Sequence, residues 1–237
     1  MILPEIDSTN AEAQRRAPAI RGPEWILALR QVQGRGRRGR AWHDPAGNFA
    51  ATYLCRPDGA PEALALRSFV AALALHEALV VSTGRPEGLA LKWPNDVLLN
   101  GGKLAGILLE SLGQGGGVSY LAIGIGVNLR AAPAAEPGAV PPVSLMAETG
   151  CAIAPEEFLD LLAPAYARWE SQLVTYGFGP IRTAWLDRAA RLGAQITARM
   201  AAGEQTGTFE GIDASGALLL RTSAGRVAIP AAEVYFS

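Results

Sequence analysis

The hydrophobic period changes several times along this chain, and each change marks an element. WILALRQV, Trp25 to Val32, is a nearly continuous apolar run too short for a helix and predicts a mostly buried strand. AATYLCR, starting at Ala50, predicts a second. Ahead of both, DSTNAEAQRRA reads as a helix start, with Thr9 as the cap and Glu12, three residues on, returning the hydrogen bond. PEALALRSFVAALALHEALVVSTG predicts one long buried helix, with Pro61 near its first turn and Gly84 past its end.

A strand-rich block follows. LALKW leads into PNDVLL, and the Asn-Gly pair of NGG between apolar runs predicts a tight hairpin into KLAGILLE. GQGGG reads as a loose loop and VSYLAIGIGVNL as the next strand. AAPAAEPGAVPP has no period and reads as a linker. Two or three helices are expected from Ser144 to Leu192, one of them kinked or divided at Pro164. Beyond Leu192 the texture shifts to short strands, QITARM, GTFEGID, GALLLRT and RVAIP, separated by small turns. The reading is α+β: a mixed sheet with packed helices over 1–192, then a small SH3-like β-barrel over 193–237.

Composition narrows the class. With 49% hydrophobic and 18% charged residues the chain suits a core-forming protein rather than a disordered one. The N-terminus lacks a cationic start followed by an apolar run, and no stretch reaches about 18 uninterrupted apolar residues, so neither a signal peptide nor a membrane span is expected. Cys55 and Cys151 fit no metal or redox spacing and read as reduced core thiols. With His43 and His76 as the two histidines and no Cys/His cluster, no protein-built zinc site is expected. The cytoplasm is the expected compartment.

The charge distribution raises the first chemical question. GRGRRGR, Gly34 to Arg40, places four arginines and three glycines in seven residues of a chain whose formal net charge is -1. Glycine lets backbone N–H groups approach an anion, and arginine offers a planar fork to phosphate or carboxylate. A nucleic-acid backbone, a small phosphorylated ligand and a merely solvated turn all suit such a loop. Its strand-like flanks are poor in positive charge, which favours a small anionic ligand over nucleic acid.

KWPNDVLLNGGKLAGILLE is the second conspicuous stretch. A period of two aligns Lys103 with Ala105, Ile107 and Leu109, and leaves Gly106 on the opposite parity, open to close backbone approach. By itself Lys103 also reads as a snorkelling surface residue, and Asn95-Asp96 after Pro94 as turn chemistry.

Taken in order after DSTN, the motifs GRGRRGRAW, KWPND, KLAGILLE and GIGVNL resemble the biotin protein ligases along essentially the whole chain. The resemblance implies a catalytic domain like that of class II aminoacyl-tRNA synthetases, followed by the barrel. It implies ATP-dependent activation of biotin as biotinyl-5′-AMP, then transfer to one lysine of a biotin carboxyl carrier protein. Mg²⁺ is expected to arrive with ATP, and neither nucleic acid nor membrane is an expected partner. Family members come with or without an N-terminal helix-turn-helix domain. The chain begins seven residues before STN, so that domain and its DNA-binding role are expected to be absent. Both monomers and dimers occur in the family, which leaves a homodimer open. Lipoate ligases and octanoyl transferases share the catalytic fold but lack this arginine loop together with KWPND.

By resemblance, Arg35, Gly36 and Arg37 close over biotin and the adenylate phosphate, with Arg37 nearest the reacting groups. Lys103 matches the lysine that contacts the biotin carboxylate and the α-phosphate, making Lys103 and Arg37 the catalytic pair. Ser8, Thr9, Asn10, Gln31 and Gly106 fall to biotin, and Trp42 and Asn128 join Arg37 and Lys103 around the nucleotide. Trp42 reads equally as a core tryptophan, and Asp96 as structural or metal-linked. A loop that opens for ligands and then orders over a mixed anhydride, excluding water, explains the glycines.

Overall fold

A computed structural model describes residues 1–112, 120–135, 137–201 and 203–236. Seven strands share one sheet: β1 (Ile2–Leu3), β2 (Glu24–Ala28), β3 (Phe49–Cys55), β4 (Leu89–Lys92), β5 (Asp96–Leu99), β6 (Gly102–Leu112) and β7 (Tyr120–Val127). Their order is β1-β2-β3-β7-β6-β5-β4, antiparallel except for the β1–β2 pair. The β5–β6 hairpin turns at Asn100 and Gly101, both at positive φ (50° and 83°), as the Asn-Gly pair leads one to expect. The predicted loop GQGGG lies outside the described residues.

Alternation gives the sheet two different faces. Phe49, Ala51, Ile123, Ile125, Val127 and Ile107 point into the main core. That core is closed by α3 (Arg67–Thr83) and α5 (Pro155–Tyr176), with α4 (Leu145–Thr149) and α6 (Phe178–Leu186) beside them. The opposite face carries small residues and is partly covered by α1 (Thr9–Arg16), whose Ala13 packs with Ile26, Leu54 and Ala122. What α1 leaves uncovered is a shallow floor for a site.

Several expectations are corrected. Ser8, not Thr9, is the N-cap of α1, and no side chain caps it. The Thr9 hydroxyl is drawn to Gln31 instead, and Glu12 pairs with Arg15. The strand expected over Trp25 to Val32 ends at Ala28. The long apolar helix comes as α2 (Pro61–Ala65) and α3, which opens at Arg67 and ends on the left-handed Gly84. α5 runs undivided past Pro164: the bond forfeited there is the one to the Asp160 carbonyl, and both residues lie on the exposed side.

The parity of Lys103 is corrected too. The β5–β6 register shifts between Val97 and Leu98, so Val97 faces Ala105 while Leu98 faces Lys103. The bulge turns both Leu104 and Ala105 into the core and puts Lys103 on the same face as Gly106.

After α6, β8 (Gln195–Met200), β9 (Gly203–Ile212), β10 (Leu218–Thr222), β11 (Gly225–Ile229) and β12 (Glu233–Phe236) form a five-stranded antiparallel sheet ordered β11-β10-β9-β8-β12. The expected SH3-like unit is of this kind, with one strand more than the sequence suggested. Its Ile196, Phe209 and Leu220 join the main core, and the Trp93 indole donates to the Gly216 carbonyl at 3.0 Å.

Candidate active site

A cavity of about 670 Å³ lies on the small-residue face, and Lys92, Asp96, Gly106 and Gly126 of one row of strand partners line its floor. Lys92, Asp96, Gly106, Gly126 and Ala50 face one another in turn across β4, β5, β6, β7 and β3. The glycines make room for Trp42. A Cβ on Gly126 would lie 2.4 Å from the indole Cε2, and one on Gly106 3.2 Å from Cζ3. The indole therefore rests on bare backbone of two strands, a packing that only glycine permits.

Charge gathers at one end of this row. The Lys103 ammonium lies 2.8 Å from Asp96 Oδ1, and the Lys92 ammonium 3.7 Å from Oδ2. Lys92 is 8% exposed, and burial pulls its pKa below the ordinary lysine value against the opposing pull of Asp96. Lys103 is held from behind: its N–H donates to the Pro141 carbonyl, and its carbonyl accepts from Val143 N–H. Asn128 braces the same segment, donating to the Val143 carbonyl at 3.0 Å, while its own Oδ1 is buried without a partner among the described residues.

The other end is polar. Ser8, Thr9 and Asn10 are all buried where α1 begins. Gln31 Oε1 accepts from the Thr9 N–H at 2.8 Å and its hydroxyl at 3.1 Å. The Thr52 hydroxyl lies 2.6 Å from Asn10 Oδ1, and Asn10 Nδ2 donates to Glu110 at 2.7 Å. Asp44 accepts the Gln31 N–H at 2.9 Å. Burial pushes the Asp44 carboxyl up to about 6, with that hydrogen bond opposing.

The arginine loop forms the rim. Its backbone closes on itself through Gly36 N–H to the Arg40 carbonyl and Trp42 N–H to the Gly34 carbonyl, with a short 3-10 turn over Arg37–Gly39. Arg37 donates to Asn95 at 3.2 Å, and Arg40 pairs with Glu233 of β12 at 2.6 Å, so the C-terminal sheet completes the wall.

Every residue nominated from the sequence borders this cavity. Ser8, Thr9 and Asn10 come from the start of α1, and Gln31 from beyond β2. Arg35, Gly36, Arg37 and Trp42 belong to the loop, Lys103 and Gly106 to β6, and Asn128 follows β7. Sequence reasoning missed Lys92, Asn95, Gly124, Gly126, Arg40 and Glu233, which also border it, and Thr52 and Asp44 behind the wall. The alternation AIGIGV already carried a signal for the two glycines, and KWPND carried Lys92 beside Asp96. Asp96 proves to be the counter-charge of two lysines. Among the described residues no group of three or more His, Cys, Asp or Glu converges.

Comparison with known proteins finds relatives along the whole chain. A model described as the Biotin/lipoate A/B protein ligase family matches residues 3–128, and one described as the Biotin protein ligase C terminal domain matches 192–237. A biotin–[acetyl-CoA-carboxylase] ligase of Paracoccus denitrificans is 63% identical, over 99% of both chains. The chain belongs to the biotin protein ligase family. A bifunctional ligase/repressor of Bacillus subtilis is 31% identical across 88% of this chain and 65% of that protein. The biotin protein ligase of Aquifex aeolicus, solved with biotin and ATP, superposes with a TM-score of 0.84 at 27% identity, covering 100% of this chain and 98% of the other.

Proposed function

We propose that this member of the family is an ATP-dependent biotin–protein ligase of the acetyl-CoA-carboxylase type. A biotin carboxylate oxygen attacks the α-phosphorus of ATP, pyrophosphate leaves, and biotinyl-5′-AMP remains in the cavity. The amine of a carrier lysine then attacks the acyl carbon, the acyl–oxygen bond breaks, and AMP departs with the bonding pair. The observation that carries this reading is the charged end of the floor, where Lys103 and Lys92 meet on one carboxylate beneath the arginine loop.

The first step brings a carboxylate to a polyphosphate, so it needs fixed cations where the two anions meet. Lys103 takes that role, exchanging Asp96 for the biotin carboxylate and α-phosphate, while Lys92 keeps Asp96 in place. Arg37 and Arg35 close over the adenylate, and Gly36 lets the loop backbone approach it. At the polar end Ser8, Thr9, Asn10 and Gln31 meet the ureido ring of biotin, and the backbone at Gly106 lies along its tail. Trp42 and Asn128 border the nucleotide. Mg²⁺ enters as the counter-ion of the triphosphate, with no protein ligand assigned.

In this reading residues 1–192 carry the catalysis, and 193–237 complete the cavity through β12. The carrier is the carboxyl carrier protein of acetyl-CoA carboxylase. Use of ATP and two free thiols suit the cytoplasm. The test is mass spectrometry of a purified carrier domain after incubation with this protein, biotin and MgATP. The expected result is a gain of one biotin on one lysine. Labelling from lipoate in place of biotin, or no labelling, would overturn the reading.

A further inference from the structure

A second cavity, of about 220 Å³, adjoins the first. The two share Arg37, Pro94, Asn95, Ile107 and Leu108 as lining residues, so they meet where Arg37 donates to Asn95. Its outer lip is exposed and comes from separate parts of the chain: Ala65 at the end of α2, Ser215 in the turn before β10, and Pro230 after β11. Its inner wall is apolar, with Phe69, Trp93 and Ile107 buried along it. The wall is also fixed in place. The Trp93 indole is tied to Gly216, and Ser68 donates to the Pro94 carbonyl at 3.3 Å.

We propose that this side cavity is the passage through which the acceptor lysine of the carrier reaches the biotinyl-adenylate. The inference rests on the ligase reading above and adds the route of the second substrate to it. Three features point to a lysine side chain as the occupant. The cavity is small and its described lining is mostly apolar, with Ser68, Asn95 and Ser215 as its uncharged polar side chains, which suits four methylenes better than a second nucleotide or a carboxylate. It opens to solvent at one end and meets the arginine loop at the other, where the loop closes over the adenylate. Arg37 is the one charged side chain among its described lining residues.

The charge pattern bears directly on the chemistry. A lysine arrives as an ammonium, which is no nucleophile, and must shed a proton before it can attack. An apolar passage ending on a guanidinium disfavours the ammonium twice, by removing water and by placing a like charge ahead of it. The surplus proton leaves to water at the lip, and the neutral amine proceeds. Its nitrogen bonds the acyl carbon, AMP leaves with the acyl–oxygen pair, and a second proton departs as the amide forms.

The test separates the two half-reactions in variants of the lip, which touches neither biotin nor ATP in this reading. Ala65→Trp and Ser215→Phe fill the mouth from two separate parts of the chain. Biotin-dependent ATP–pyrophosphate exchange reads adenylation, and single-turnover labelling of the carrier domain from preformed adenylate reads transfer. Hydroxylamine serves as a small nucleophile that passes a narrowed mouth. The expected result, in at least one variant, is exchange within twofold of the parent, carrier labelling slowed tenfold or more, and hydroxylamine cleavage retained. Carrier labelling at the parental rate in both variants would overturn the proposal. So would a parallel fall of exchange and labelling in both. Failure of the unaltered protein to exchange or to label would instead count against the ligase reading itself.

Discussion

The cavity draws positive charge from two regions built in opposite ways. Lys92 and Lys103 stand on strands, their side chains 9% and 32% exposed, and share a carboxylate that is itself 12% exposed. Lys103 is further held by the 141–143 segment on its own backbone. The arginines stand on a loop braced mainly by its own turns and by Asn95 and Glu233, and the Arg40 side chain is 56% exposed. A cation that must stabilise charge developing in a transition state gains from being fixed and partly dry before the substrate arrives. A cation that must release and retain a ligand gains from a backbone able to rearrange. The sheet and the loop therefore divide chemistry from retention, and the following experiments strain that division.

The largest effect belongs to the sheet. Lys103→Gln should slow adenylation by about 10²–10³, as loss of one preorganised electrostatic donor does, with smaller change in ATP binding. Single-turnover adenylate formation at saturating biotin and ATP measures it, with a thermal melt to check folding. A folded variant at the parental rate would move the chemistry off the sheet and return Lys103 to a snorkelling role.

Arg37→Ala should act on retention instead. Losing a charge-assisted contact costs about 1.5–3 kcal/mol, or about 10- to 150-fold in the release rate of biotinyl-adenylate. Escaped adenylate would label bystander lysines. Adenylate held as tightly as in the parent would break the comparison from the loop's side.

The floor offers a subtler test. A methyl at position 126 would meet the indole Cε2, Cζ2 and Nε1 at 2.4–2.6 Å, and one at 106 would meet Cζ3 at 3.2 Å. Gly126→Ala should cost about 1–3 kcal/mol of stability and weaken nucleotide binding as Trp42 is displaced, with Gly106→Ala milder on both counts. Thermal melts and calorimetric titration of the pair check the order.

Asp44, behind Gln31, should give the smallest effect and a pH signature. Its carboxyl rises from 3.8 to about 6 on folding, so the native state holds this proton more tightly than the unfolded chain. The sign follows: its contribution is most favourable below about pH 4 and is lost as pH rises through about 6. Each pKa unit is worth about 1.4 kcal/mol, and partial solvent contact reduces the swing to about 1–2 kcal/mol. Asp44→Asn lacks the titration. The melting temperature of the parent relative to this variant should therefore fall between pH 5 and pH 7, and a constant difference would refute the assignment.

Much of this molecule is written in local pattern. Apolar runs marked β3, β6 and β7, Asn100-Gly101 specified the hairpin, and GRGRRGR with KWPND and KLAGILLE marked residues that meet in one cavity. These signals are legible because they depend on neighbours along the chain: steric alternation, turn dihedrals, and charge within a few residues. Thr9 was misjudged as a cap because the Gln31 carbonyl that engages its hydroxyl lies 22 residues away. Lys103 was put on the wrong face because the bulge arises between strands, where Leu98 opposes Lys103. Lys92 and Asp96 became a charge pair, and Gly126 a seat for Trp42, only when sheet register set them in one row. The sequence by itself determined the elements, the turn and the cationic loop. Tertiary structure decided which face each charge occupies and what opposes it, because register and burial are properties of strands in contact.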